Sequence, residues 1–177
     1  EKSFREIAHE VFIPLLGQVY ELAKTNTITA AHEQFIRNLI LQKLAFHNDK
    51  LSSHAKRNKN KVFVLFSPNN ESDILGLMYL NFELLNKGYK TILLGQNIPL
   101  EDLVDKKKYQ EEIVYLAYFS IYNKVTSINE YIKRLSAKVS DNSSEVWISG
   151  GMIDQLSTYQ IPDRIKIFTD TADVVDS

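Results

Sequence analysis

Residues 62–95 read VFVLFSPNNESDILGLMYLNFELLNKGYKTILLG, and the pattern of this stretch decides the fold. VFVLF is a continuous apolar run of β-branched and aromatic side chains, stopped by Ser67-Pro68-Asn69-Asn70. A strand buried on both faces reads this way, and such strands belong to parallel sheets. After Asp73, the residues Leu75, Met78, Tyr79, Phe82 and Leu85 recur at helical spacing, and Lys87-Gly88 supplies the charge and left-handed cap that end a helix. A second apolar strand, YKTILLG, starts at Tyr89. Strand, loop, helix and strand in this order make one βαβ unit.

Downstream the alternation continues. PLEDLVDKKKYQ (99–110) predicts a short helix opened by Pro99, IVYLAYFS (113–120) a buried strand and VTSINEYIKRLSAKV (125–139) an amphipathic helix. EVWISGG (145–151) and IKIFTD (165–170) predict two more strands, with Trp147 as core packing and Met78 and Met152 as core or loop apolars. The expected architecture is a doubly wound, Rossmann-like or flavodoxin-like α/β fold: a five-stranded parallel sheet in the order 2-1-3-4-5.

Upstream the period changes. Phe4, Ile7, Ala8, Val11, Phe12, Leu15, Leu16, Val19 and Leu22 mark an amphipathic helix that Pro14 must kink or interrupt, and Thr25-Asn26-Thr27 breaks it. A second helix starts near Thr29, with Glu33 in its first turn, and runs through Phe35, Ile36, Leu39, Ile40 and Leu44 toward His54. Two such helices leave an apolar face that needs a cover, either another domain, a partner chain or further helices. Residues 50–61, KLSSHAKRNKNK, carry five basic side chains and no acidic one. This stretch reads as a solvated linker, with a phosphate-contacting patch as the functional alternative. The division expected is residues 1–57, a helical-bundle (cap) segment incomplete at its N-terminus, and residues 58–177, the α/β domain. The chain opens at Glu1 inside a helical pattern, so a piece of a longer protein is expected.

Composition narrows the function. A net charge of −1 over 177 residues gives no whole-molecule attraction to nucleic acid or anionic membrane. The absence of cysteine removes disulfides, thiolate zinc sites and cysteine nucleophiles, and matches a cytoplasmic setting. No apolar run reaches the roughly 18 residues of a membrane span. Neither G-x-G-x-x-G nor G-x-x-x-x-G-K-[ST] follows the first strand, so the usual phosphate cradles are missing. A phospho-receiver domain would need an acceptor Asp after the third strand, where this chain has Ser120. No Ser-His-Asp grouping, metal cluster or motif-placed carboxylate pair supports catalysis, so the protein is not expected to be an enzyme and no metal ligands are expected.

In a doubly wound sheet the ligand crevice lies beyond the carboxyl ends of the strands, where the strand order reverses. Loops 67–73, 120–124 and 150–154 converge there. Small residues at Gly76, Ser120, Gly150 and Gly151 would let a bulky ligand approach the backbone.

These residues, E71-S72-D73-I74-L75-G76, S120-I121-Y122 and G150-G151, resemble the D-x-H-x-x-G, S-x-L and G-G motifs of cobalamin-binding domains. The flanking LGQNIPLEDL is similar to the version found in MerR-type transcriptional regulators, which include light-responsive repressors of carotenoid genes. PLLGQVYELAKTNTITAAHEQF is similar to the bundle segment that carries W-x9-E-H in those photoreceptors. The resemblance covers nearly the whole chain. It implies a sensory and oligomerising region without catalysis, and DNA contacted through an N-terminal winged helix that this chain does not contain. It further implies a homo-oligomer or protein partner, no membrane association, and a corrinoid held by positions 23, 33, 34, 73, 76, 120, 150 and 151.

The pattern departs from the family at its ligands. The motif histidine, which holds cobalt from below while the nucleotide tail swings into the sheet, is replaced by Asp73. A carboxylate suits harder ions than an imidazole does, so histidine ligation from this position is lost. Of His9, His32, His47 and His54, none lies in the sheet domain. In the upper motif Ala23 stands for Trp and Glu33-Gln34 for Glu-His. Plain structural roles compete at each position: Asp73 with Ser72 as a helix cap, Gly150-Gly151 as a tight strand exit, and Glu33 as a first-turn acid rather than a ribose contact. The function these residues imply is a MerR-type regulatory region with cobalamin binding altered or lost. The alternatives are a corrinoid carrier for methyl transfer, or a crevice reassigned to another ligand or protein partner.

Overall fold

A computed structural model describes residues 2–54, 61–68, 73–103, 112–120, 128–138, 144–151, 165–169 and 173–174. The chain divides into two compact units, Glu1–Phe46 and His47–Ser177. The boundary between these units falls inside a helix, and residues 55–60 of the basic stretch that follows lie outside the described ones.

In the first unit Ser3 and Glu6 form a capping box, with Ser3 Oγ accepting from Glu6 N–H at 3.2 Å and Glu6 Oε2 accepting from Ser3 N–H at 2.7 Å. The helix then passes through α1 (Phe4–Ile7), a π-helical stretch (Ala8–Phe12) and α2 (Ile13–Lys24). The expected interruption at Pro14 therefore takes the form of a change of helix type. Proline lacks an N–H and its ring crowds the carbonyl four residues earlier, here Glu10, and the wider π turn absorbs that misfit. Asn26, at φ 56°, ends α2 where the sequence places a break. Helix α3 (Ala30–His54) starts after Thr29, whose carbonyl accepts from Glu33 N–H at 3.1 Å.

The second unit is a five-stranded, all-parallel sheet in the order β2-β1-β3-β4-β5, the order expected from the sequence. Its strands are β1 (Lys61–Pro68), β2 (Lys90–Ile98), β3 (Glu112–Tyr118), β4 (Glu145–Ser149) and β5 (Ile165–Phe168). Val62 to Phe66 are at most 1% exposed, as a strand covered on both faces requires. Helix α4 (Ile74–Asn86) lays Leu77, Leu80 and Leu84 on Phe63, Leu65, Val114, Leu116 and Trp147. On the opposite face α5 (Ile128–Lys138) and the segment Leu100–Leu103 cover Val64, Phe66, Ile113, Tyr115, Ala117 and Ile148. Gly88, at φ 82°, donates its N–H to Leu85 O and closes α4 as its sequence predicts.

Two details differ from expectation. Edge strand β2 continues past Gly95 to Ile98, with its register skipping a residue between Leu65–Leu93 and Phe66–Gly95, because Gly95 (φ 96°) and Asn97 (φ 59°) bend the ladder without ending it. The helix expected over 99–110 is a single 3₁₀ turn, Leu100–Asp102, after which Leu103 is extended; residues 104–110 lie outside the described ones.

The N-terminal end of the sheet is tied together by charge. Trp147 Nε1–H donates to Glu145 Oε2 at 2.6 Å, Lys166 Nζ lies 3.0 Å from the same oxygen, and Lys61 Nζ lies 3.6 Å from Glu145 Oε1 and from Glu112 Oε1. Lys166 and Lys61 also sit 5.1 and 5.8 Å from the Trp147 ring centroid. Burial pushes the Glu145 carboxyl up, but the Trp147 hydrogen bond and the two lysines outweigh it and hold the carboxyl below its ordinary value of 4.5. A depressed folded pKa contributes stability above the unfolded pKa and loses it as pH falls through the folded one. Glu145→Gln is therefore expected to flatten the loss of stability below about pH 4.5, an effect of about 1 kcal/mol at most because the side chain is still 30% exposed and screened. Urea titrations of both proteins at pH 7 and pH 3.5 check this.

Candidate functional site at the carboxyl edge of the sheet

From β1 the chain passes to β2 on one side and later to β3 on the other, so the crevice of the fold opens beyond Pro68, Tyr118 and Ser149. Asp73, Gly76, Ser120, Gly150 and Gly151 all stand at this edge, as their sequence positions imply. Glu71, Ser72, Ile121 and Tyr122 lie outside the described residues. In the helical unit Ala23, half-buried, ends α2 one residue before its last, while half-buried Glu33 and exposed Gln34 lie in the first turns of α3.

Asp73, Gly76 and Gly150, three of the described residues of the sheet motif, have work within the chain itself. Asp73 is the N-cap of α4, and its Oδ1 accepts from Leu75 N–H at 3.3 Å, satisfying a donor that the first turn cannot pair internally. Gly76 faces Tyr118: a Cβ at position 76 would overlap the tyrosine hydroxyl and ring carbons. Gly150, at φ 128°, turns the chain out of β4 so closely over Phe119 that a Cβ would overlap the Phe119 carbonyl oxygen. That contact is fixed by Phe119 N–H donating to Ser149 O at 2.9 Å. Gly151 follows in an exposed turn, and Ser120 is buried behind the end of β3. The space that small residues were expected to leave for a ligand is thus occupied, at Gly76 and Gly150, by Tyr118 and Phe119.

Two residues at this edge, Tyr118 and Ser149, escape a reading of the sequence, which places Ser67 here only as the start of a loop. The alternation of β strands places Ser67, Tyr118 and Ser149 on the α4 face, with Tyr118 paired to Ser149 and Ser67 one residue past the Phe66–Ala117 pair. The Ser67 and Ser149 side chains are fully buried, and their hydroxyls have no hydrogen-bond partner among the described residues. The signal was present as a small polar residue closing each of two apolar strands, but the partner of Gly76 is 42 positions away and only the sheet brings it near. On the other face Tyr131 packs edge-on to Phe119 at 5.6 Å, and burial pushes its phenol far above the ordinary tyrosine range, with Arg134 opposing and Glu101 adding to the shift. It stays neutral and does not serve as an acid–base group near neutral pH.

A histidine-ligated corrinoid does not fit these residues. The position that would present an imidazole carries a carboxylate already engaged as a helix cap, and among the described residues no three His, Asp or Glu side chains gather to hold a metal ion. Removing the cap tests its role directly. Asp73→Ala is expected to cost about 1 kcal/mol in urea denaturation with no corrinoid present, and Asp73→Asn only a few tenths. If Asp73 served a ligand alone, both variants would match the parent.

No helix among the described residues is long and apolar enough to cross a membrane. No family model and no curated protein matches the sequence. Solved structures do. The monomethylamine corrinoid protein of Methanosarcina barkeri superposes with a TM-score of 0.69 at 12% identity, over 91% of this chain and 76% of that one. The methanol:cobalamin methyltransferase complex MtaBC from the same organism gives 0.50 at 16% identity, over 97% of this chain and 64% of that one. At such identities the likeness is one of fold: a helical segment followed by an all-parallel five-stranded sheet of the Rossmann-like, cobalamin-binding type.

Proposed function

We propose that the chain is the sensory and oligomerising region of a MerR-type transcriptional regulator, without catalytic activity, in which cobalamin binding has been altered or lost. The observation that carries this reading is Asp73, which stands at the motif histidine's position, caps α4 and offers no imidazole. Ala23 and Gln34 remove the aromatic and imidazole groups of the upper motif in the same way. Exposed apolar residues along α3, with Phe35 64% and Leu39 44% accessible one turn apart, support contact with a second copy or a protein partner. DNA is contacted by a winged helix outside this chain. A corrinoid, where one binds, would be held without an imidazole from position 73.

The second reading is a corrinoid carrier that passes methyl groups between methyltransferases, and the fold shared with the monomethylamine corrinoid protein favours it. A carrier uses the lower imidazole to govern cobalt redox chemistry, which Asp73 does not provide. Light scattering separates regulator from photoreceptor. With adenosylcobalamin added, the molar mass in the dark and after illumination is expected to be the same. A light-dependent change of oligomer would contradict the loss of the upper motif's function.

A further inference from the structure

The α4 face of the sheet holds an arrangement that neither a helix cap nor ordinary core packing explains. Gly76 sits in the first turn of a helix, where alanine is the better helix former, yet its missing side chain is what admits the end of the Tyr118 ring. Ser67 and Ser149 stand on the strands either side of Tyr118 and on the same face, with hydroxyls that are buried and have no partner among the described residues, although polar groups of this kind are usually hydrogen-bonded. Small side chains on three elements around one bulky aromatic describe a slot between sheet and helix, and the chain fills it with its own ring. A hydrophobic residue at 118 could have packed along the sheet as Val114 and Leu116 do; tyrosine reaches beyond it to the helix backbone.

We infer that Tyr118 closes this slot against the nucleotide tail of a corrinoid, and that Gly76 is kept for the tyrosine and not for a ligand. The inference rests on the reading of altered or lost cobalamin binding and supplies its steric cause: the tail has no place to enter, in addition to the cobalt having no imidazole below it. It applies to the chain's own packing and holds whichever DNA or partner the regulator serves.

The test combines stability and binding. Gly76→Ala is expected to lower the melting temperature of the parent by several degrees, and to leave it unchanged or raise it in a Tyr118→Ala background, where the added methyl meets no ring. Binding is read with cobalamin and with cobinamide, the same corrin without its nucleotide tail. The parent and Tyr118→Phe, which keeps the ring, should not favour cobalamin over cobinamide, whereas Tyr118→Ala should favour it at least tenfold. An equal penalty for Gly76→Ala in both backgrounds overturns the inference, and so does a folded Tyr118→Ala chain with no preference for the tailed corrinoid. A parent that prefers cobalamin tenfold overturns it without any variant. The proposed function fails separately: a light-dependent oligomer overturns the loss of the upper motif, and methyl transfer through a bound corrinoid overturns the regulatory role, neither of which the coupling between positions 76 and 118 measures.

Discussion

Replacing Gly150 by alanine is expected to destabilise the protein by about 3 kcal/mol with no ligand present, a large share of the roughly 5–15 kcal/mol that holds a domain folded. Two effects add. The backbone at φ 128° lies where residues with a Cβ are strained. The new methyl also runs into the Phe119 carbonyl, which is main chain and cannot rotate away as a side-chain tip would. Relief requires β3 and β4 to part at their ends, where Phe119 N–H is bonded to Ser149 O at 2.9 Å. Gly151 lies exposed in the turn, and alanine there is expected to cost much less. Urea denaturation of both variants checks the pair. Were Gly150 small only to admit a ligand, alanine would leave the unliganded protein unchanged.

Trp147→Ala is the second large effect, about 3–5 kcal/mol by the usual cost of truncating a buried aromatic. The indole is 1% exposed and packs edge-on to Phe63 at 5.1 Å and against Phe168 at 4.9 Å, so its loss opens a cavity between β1, β4 and β5. The same substitution removes the Nε1–H donor to Glu145 and the ring over which Lys61 and Lys166 lie. Trp147→Phe keeps most of the packing and loses the hydrogen bond, and about 1–2 kcal/mol is expected. A similar cost for both variants would mean that the polar end, and not the ring, matters most.

The parts of this fold legible in the sequence are those where neighbours along the chain decide the outcome. VFVLF, the α4 stripe and the Lys87-Gly88 stop each carry their own periodicity or cap, and alternation of strands with helices then prunes the sheet orders to a few, among them the one observed. The sequence is silent where distant residues or backbone compensation decide. Pro14 announces a disturbance without saying that a π turn absorbs it. Gly95 resembles a strand end, yet pairing with β1 carries β2 on to Ile98. At the site, motif spacing located the edge of the sheet and the cap at Asp73, but the occupant of the Gly76 space is set by β3, and nothing near residue 76 reveals it. Glu145 and Trp147, two apart on one strand, are on the same face by the period of a strand, and that pair was open to a sequence reading.

Under the proposed function, this cobalamin-type fold no longer holds a corrinoid through its motif residues. Titration of the protein with adenosylcobalamin and hydroxocobalamin in the dark, followed by desalting and an absorbance spectrum of the protein fraction, tests it most directly. A fraction that comes through colourless, or that carries only a corrinoid with water or its own base as the lower ligand, is the predicted result. A retained corrinoid with a histidine nitrogen bound to cobalt would contradict the account.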